Sequence, residues 1–311
     1  MSWFKTLKKS EKKTSGVKYN ENVFVPKSQK VHNKKGKIQY IVEAFEENAK
    51  SSKSFPVDCS PQFLTYLKGK ILITSQTDTI KVYDPSGTHL ESIHAEHKDS
   101  ILSGLALNST ENSLFLCDAR SQSQARVQIF NIKEDIQPVA HIGQGLFQAP
   151  HGICVTKSNK TLVTDVERRE IFIIEDDGYH ASVFGGIGQR PGQFMFPHDV
   201  VFDEVHKRII VSDTLNHRLQ VFSESGRFMD IVEYDKNGKR LFSCPTSLKF
   251  DNDNHLVVCD NGANSLKILN QDMQLIKQIP LGNTQKPSAV TILPLGKLCV
   301  ACAVQSTLLI I

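Results

Sequence analysis

The 311-residue sequence predicts an all-β fold, a six-bladed β-propeller. The first observation is a short β-rich run that ends in aspartate and recurs at intervals of 47, 48 and 47 residues. Its final residues are Asp118, Asp165, Asp213 and Asp260. The second is a pair of weaker copies, at 71–75 and 298–302, which bring the number of units to six. The third is that no unit has the 3.6-residue apolar period of a helix. Repeats of about forty residues that are rich in β-formers are typical of propellers.

The fourth unit has the clearest strand pattern. It predicts four short strands, at 200–202, 208–212, 217–222 and 228–232. Polar turns separate these strands, and Gly226 falls where a tight hairpin needs a positive φ angle. Four antiparallel strands in each of six units make six propeller blades.

The two ends of the repeat region predict how the ring closes. The sixth unit stops after three strands, at 308–311, so it is one strand short. The segment 37–45, which precedes the first unit, has a strand pattern, and we expect it to supply the outer strand of the sixth blade. Closure by this N-terminal strand would remove an open sheet edge. The propeller is therefore predicted to span residues 37–311.

A basic segment precedes the propeller. Residues 1–37 contain eleven lysines and two acidic residues, a balance of +9, whereas the rest of the chain carries −5. We expect residues 1–36 to be a disordered, solvated tail. Contact with nucleic acid, a membrane surface or the nuclear-import machinery is the alternative interpretation of such a lysine-rich segment.

Composition excludes several classes of protein. No apolar run approaches the roughly 18 residues of a membrane span, and lysines interrupt the N-terminus before a signal peptide can form. The seven cysteines lie mostly in apolar strand patterns, as expected of buried thiols in a reducing compartment. We expect a cytoplasmic, monomeric protein without a membrane partner, catalytic motif, metal or cofactor.

The motif of the fourth unit combines Gly185-Gly186, Gly188 and the run 191–194 with Asn216-His217-Arg218-Leu219 after the second strand. It resembles the NHL repeat, which is named for its Asn-His-Leu signature. The resemblance covers about residues 38–311, and it is partial or degenerate outside the fourth unit. It implies a propeller of the tripartite-motif type, which ends at the third strand of its last blade. RING, B-box and coiled-coil patterns are missing before residue 54, so ubiquitin-ligase activity is not implied for this chain alone.

The repeated aspartates are expected to have a structural role. A carboxylate at the end of a strand commonly accepts backbone N–H groups and fixes the following loop. A ring of acids that binds Ca²⁺ is the alternative. Recurrence in four units favours the structural role, and Arg218 is expected to pair locally for the same reason.

Two histidines occupy equivalent places in neighbouring blades. His151 and His198 each follow a proline at the start of an innermost strand, so both are predicted at the mouth of the central channel, without apolar contacts. This placement is similar to that of the zinc ligands of peptidylglycine-amidating lyases, which are related propellers. A catalytic zinc needs three protein ligands, and the third and fourth equivalent positions are Thr246 and Ser288. A metal-dependent lyase or hydrolase is therefore the weaker alternative.

The loops on the same face predict a binding rim. In RNA-binding NHL propellers this rim receives single-stranded or hairpin RNA, and arginine and histidine can hold phosphates or stack on bases. We expect a non-enzymatic module that binds RNA in post-transcriptional regulation. A protein-interaction scaffold related to the tripartite-motif ligases is the alternative. The predicted rim residues are Arg120, His151, Arg168, Arg169, His198, His217, Thr246 and Asn264.

Overall fold

The computed structural model describes residues 52–120, 124–132, 136–282 and 285–311, which form a six-bladed β-propeller. Each blade is an antiparallel sheet of four strands. The innermost strands of neighbouring blades contact one another in a closed ring. The predicted all-β, six-bladed fold is thus confirmed. Among these residues, no helix has the length and apolar character that crossing a membrane requires.

The first three blades are continuous in sequence. Blade I contains β2 (Phe63–Leu67), β3 (Lys70–Thr74), β4 (Thr79–Tyr83) and β5 (His89–His94). Blade II contains β6 (Leu102–Leu107), β7 (Ser113–Asp118), β8 (Arg126–Ile132) and β9 (Ile136–Ile142). Blade III contains β10 (Pro150–Val155), β11 (Thr161–Asp165), β12 (Glu170–Ile174) and β13 (Ala181–Gly185).

The last three blades include the one that closes the ring. Blade IV contains β14 (Pro197–Asp203), β15 (Arg208–Asp213), β16 (Arg218–Ser223) and β17 (Phe228–Val232). Blade V contains β18 (Pro245–Phe250), β19 (Leu256–Asp260), β20 (Ser265–Leu269) and β21 (Leu275–Pro280). Blade VI contains β22 (Pro287–Ile292), β23 (Leu298–Cys302), β24 (Thr307–Ile310) and β1 (Lys53–Pro56).

Blade IV follows its sequence pattern closely. Its outer strand β17 has the predicted bounds, and its inner strand begins three residues earlier than predicted, at Pro197. The early start follows from a register shift between Pro197 and Val200, which keeps the proline paired with Asp213 at the strand end. Irregularities of this kind are common at the rims of closed sheets.

Apolar side chains between adjacent sheets hold the blades together. Between blades III and IV, Ile171 packs with Val200, Val211 and Phe222, and all four are almost fully buried. Phe194, from the connection between these blades, completes the cluster. Gly185 has a φ of 115°, and a Cβ there would meet the Phe194 ring at 3.0 Å. A side chain at this position would therefore push the two sheets apart.

An N-terminal strand closes the ring, as predicted, but it is not the predicted segment. β1 (Lys53–Pro56) pairs antiparallel with β24 as the outer strand of blade VI. The segment 37–45 and the predicted tail 1–36 lie outside the described residues. The sequence hides β1 because an outer strand is held mainly by backbone hydrogen bonds. Three of its four residues are exposed, so it needs little apolar patterning.

The propeller has two distinct faces. The turns between second and third strands, such as 166–169, and the connections between blades, such as 186–196, form what we call the rim face. The turns between first and second strands, such as 204–207, and between third and fourth strands, such as 224–227, form the base face. Because each inner strand runs from the rim face to the base face, residues early in these strands lie near the rim.

Candidate functional site

Asp213 fixes the rim-face loops of blade IV. Its carboxylate is fully buried and accepts hydrogen bonds from the Met195 amide at 3.0 Å and the Arg218 Nε at 3.0 Å. Asn216 Nδ2, at 2.7 Å, and Gln220 Nε2, at 3.1 Å, donate to the same carboxylate. The charge is therefore fully compensated, and the loop before the blade is tied to the turn within it.

The equivalent aspartates have the same arrangement. The Asp165 carboxylate accepts the amides of Gln148, from the connection before the blade, and Arg168, from the turn within it. Asp118 accepts the Ile101 amide, and Asp260 accepts the Cys244 amide. All four aspartates are inaccessible to solvent. Among the residues that the structure describes, no group of three or more His, Cys, Asp or Glu side chains could hold a metal ion.

In blades III, IV and V the turn after the aspartate ends in a residue with left-handed backbone conformation. Arg169, His217 and Asn264 each stand four residues after the aspartate, with φ of 59°, 58° and 50°. Asparagine and histidine are enriched in this conformation, whereas arginine adopts it less readily. The repeat therefore presents one side chain in each of these three blades at the same place on the rim face, and in blade III that side chain is a guanidinium.

The two predicted mouth histidines lie in an aromatic plug. The ring of Phe63, from blade I, lies 5.0 Å from that of His151 and 5.3 Å from that of His198, on blades III and IV. Blades I and IV are on opposite sides of the ring, so Phe63 reaches across the central axis. The His151 and His198 rings are 4.5 Å apart, and Phe196 lies within 6.0 Å of both. These residues close the channel near its rim end.

The plug corrects the expectation that the two histidines lack apolar contacts. Only 8% of His151 and 9% of His198 is accessible. Burial lowers the pKa of His151, and burial together with the neighbouring His151 lowers the pKa of His198 well below its usual value. Both rings are therefore neutral at physiological pH and cannot hold phosphates as cations. His151 Nδ1 donates to the His198 carbonyl at 2.9 Å.

Two of the three predicted rim arginines are already paired with carboxylates. Arg120 Nη2 lies 2.7 Å from Asp99, and Arg168 Nε lies 2.6 Å from Glu170. Arg168 also lies over the Phe172 ring, 5.5 Å from its centroid. The rim face is therefore less basic at these two positions than its sequence indicates.

Arg169 differs from the other two. No ion pair holds its guanidinium within the described part of the chain. Its Nε, like that of Arg120, is buried without an acceptor there. The guanidinium lies 5.9 Å from the centroid of the half-buried Phe196 ring. Arg169 and Phe196 therefore place a cation and an aromatic ring side by side at the mouth of the channel. The sequence prediction included Arg169 but missed Phe196, although it directly precedes the Pro197-His198 motif.

The remaining predicted rim residues have internal partners. His217 Nδ1 donates to the Ser243 carbonyl oxygen. Thr246 is buried, and its hydroxyl lies 3.3 Å from the carbonyl oxygens of Cys259 and Pro287. Asn264 is half-buried and accepts the Leu281 amide on its carbonyl at 2.9 Å. Thr246 thus helps to join blades V and VI.

Comparison with known proteins agrees with the propeller fold. Residues 194–222 match the family model described as NHL repeat. The protein named brain tumor, from Drosophila melanogaster, is 26% identical over 118 residues, which are 38% of this chain and 11% of that protein. The chain thus covers about a ninth of the length of this relative.

Solved propellers share the fold at low sequence identity. Virginiamycin B lyase from Staphylococcus aureus superposes with a TM-score of 0.58 at 16% identity, over 81% of each chain. A chain of the nidogen/laminin complex gives a TM-score of 0.60 at 20% identity, over 74% of this chain and 84% of that one. Likeness at this identity concerns the fold alone. The chain is a six-bladed β-propeller that contains an NHL repeat and resembles the brain tumor protein of Drosophila.

Proposed function

We propose that this propeller is a non-enzymatic binding module and that its rim face binds single-stranded or hairpin RNA. The observation that carries the proposal is the Arg169–Phe196 pair. No ion pair among the described residues neutralises the Arg169 guanidinium, so its charge can pair with a phosphate oxygen. An aromatic ring beside a guanidinium is also the arrangement on which unpaired bases stack.

The ion pairs of Arg120 and Arg168 make the proposal more specific. Because Glu170 already neutralises Arg168 and Asp99 neutralises Arg120, these two side chains have less charge to offer a phosphate. The binding energy is therefore expected to centre on blades III and IV, with Arg169 and Phe196 as its main contributors.

The test begins with selection of bound sequences from a random RNA pool by the full chain. The affinity of a selected RNA is then measured by fluorescence anisotropy for wild type, Arg169→Ala and the matched control Arg168→Ala. We expect Arg169→Ala to weaken binding about tenfold or more and to lower the log–log salt slope by roughly 0.7, the value for one phosphate contact to a single strand. Arg168→Ala should change the affinity about twofold or less.

Equal affinities for the two variants and wild type would contradict the proposal. The proposal would also be contradicted if removal of the lysine-rich residues 1–36 abolished RNA binding while Arg169→Ala still bound like wild type. In that case the lysines would bind RNA through charge alone.

Exposed apolar side chains on the same face favour a second candidate, a protein partner. Ile187, Leu215 and Val304 are 69%, 55% and 74% exposed, and the first two flank the rim loops of blade IV. Apolar side chains of this kind contribute to protein interfaces more than to phosphate contacts. Leu215→Asp should disrupt a protein complex. It should weaken the binding of a selected RNA only through its added negative charge. Loss of partner capture in this variant, with no RNA selected by wild type, would favour the scaffold.

A further inference from the structure

The central channel contains a cavity that is distinct from the rim site. Its volume is about 370 Å³, and the innermost strands of all six blades line it. Phe63 bounds it on the side of the aromatic plug. The turn residues Asn108 and Glu111 line its other end, so the cavity opens on the base face. It is therefore a blind pocket on the propeller axis.

One carboxylate lies in the wall of this pocket. Asp199 is 6% exposed and accepts the Val200 amide at 2.9 Å and, from the next blade, the Leu248 amide at 2.9 Å. A carboxylate has about four acceptor positions, so these two donors leave about two positions open.

The Asp199 carboxylate has no ion-pair partner among the described residues. Lys249, which also lines the pocket, acts on it only through longer-range attraction. Burial raises the pKa of the Asp199 carboxyl to about 6, so the group is mostly ionised at neutral pH. Buried charges in proteins are normally paired, because an isolated charge loses its hydration without compensation.

The rest of the wall suits an alkyl chain. Leu105, Ile153, Val201 and Val290 contribute apolar surface along the pocket. Pockets of roughly 300 Å³ and above that combine apolar walls with a few polar groups are typical of small-ligand sites. We propose that this pocket binds a small ligand with a primary ammonium group on a short alkyl chain, and that the ammonium pairs with Asp199.

The experiment compares n-butylamine with n-butanol, which have similar size and shape but differ in charge. Each is titrated into the full wild-type chain labelled with ¹⁵N, and the amide resonances of Leu248 and Val200 are followed because both amides donate to Asp199. We expect saturable shifts with butylamine and at least tenfold weaker binding of butanol. Equal binding of the two probes, or no shift with butylamine, would overturn the proposal.

Two variants locate the effect. Asp199→Asn should bind butylamine at least tenfold more weakly than wild type. Asp176→Asn, the same chemical change in an exposed turn, should bind like wild type. Unchanged affinity in Asp199→Asn would also refute the site, and if that variant does not fold, the two-probe comparison on wild type still decides. Arg169→Ala should bind butylamine normally, because the two sites do not share residues.

Discussion

Blades IV and VI build the same turn in different ways. In blade IV, Asp213 pairs with the first residue of the inner strand, Pro197. In blade VI the equivalent pair is Cys302 with Pro287. The aspartate fixes its loops through four side-chain and backbone donors, whereas Cys302 is a fully buried thiol whose pKa is raised by burial.

In blade VI the turn is supported by the segment that follows the closing strand β1. Beyond β1, the Val57 amide donates to the Ser306 carbonyl at 2.8 Å, and the Ser60 hydroxyl donates to the Ala303 carbonyl at 3.0 Å. The turn at 303–306 is therefore held from outside the blade. Both turns are therefore anchored by hydrogen bonds, and the anchor does not have to be a carboxylate.

The largest effect should come from removing the closing strand. Deletion of residues 1–57 exposes β24 as an open edge and removes Phe55 and Val57 from the cluster between blades I and VI. Deletion of residues 1–45 leaves all of these contacts in place. We expect the longer deletion to lower the melting temperature by about 10 °C or more and the shorter one to leave it unchanged, as measured by circular dichroism. Equal melting temperatures for the two deletions would show that β1 is not needed.

The second effect concerns the anchors themselves. Asp213→Ala leaves Arg218 buried without its carboxylate and should cost about 3–5 kcal/mol of unfolding free energy. Cys302→Ala, at the equivalent position, removes only a small buried group and should cost about 1 kcal/mol. Chemical denaturation measures both. Similar losses would mean that the carboxylate contributes no more than packing.

The smallest effect is the pH dependence that Asp199 gives to stability. Its pKa is raised in the folded state, to about 6 from 3.8, so the carboxyl favours folding below pH 4, and this contribution is lost as the pH rises through 6. The unfolding free energy of wild type, relative to that of Asp199→Asn, should therefore fall by up to about 3 kcal/mol between pH 4 and pH 7. A difference independent of pH would contradict the burial of an unpaired charge.

Part of the candidate site could be predicted from the sequence. The repeat placed Arg169, His217 and Asn264 at one equivalent position on the same face, because each follows its aspartate by four residues. The sequence did not reveal that Arg168 is paired and Arg169 is not. That difference depends on where Glu170 and Phe196 lie after the blades have packed.

The number of blades, the strands of blade IV and the aspartate at the end of each clear repeat could be predicted from the sequence alone. These features are local, since strand patterns and turns depend on neighbouring residues. Three features became visible only in the folded protein: β1 closes the ring, Phe63 joins His151 and His198 in a plug, and Asp199 lies in the axial pocket without an ion pair. The physical reason is that these contacts join residues from different blades, and only closure of the ring brings them to one axis.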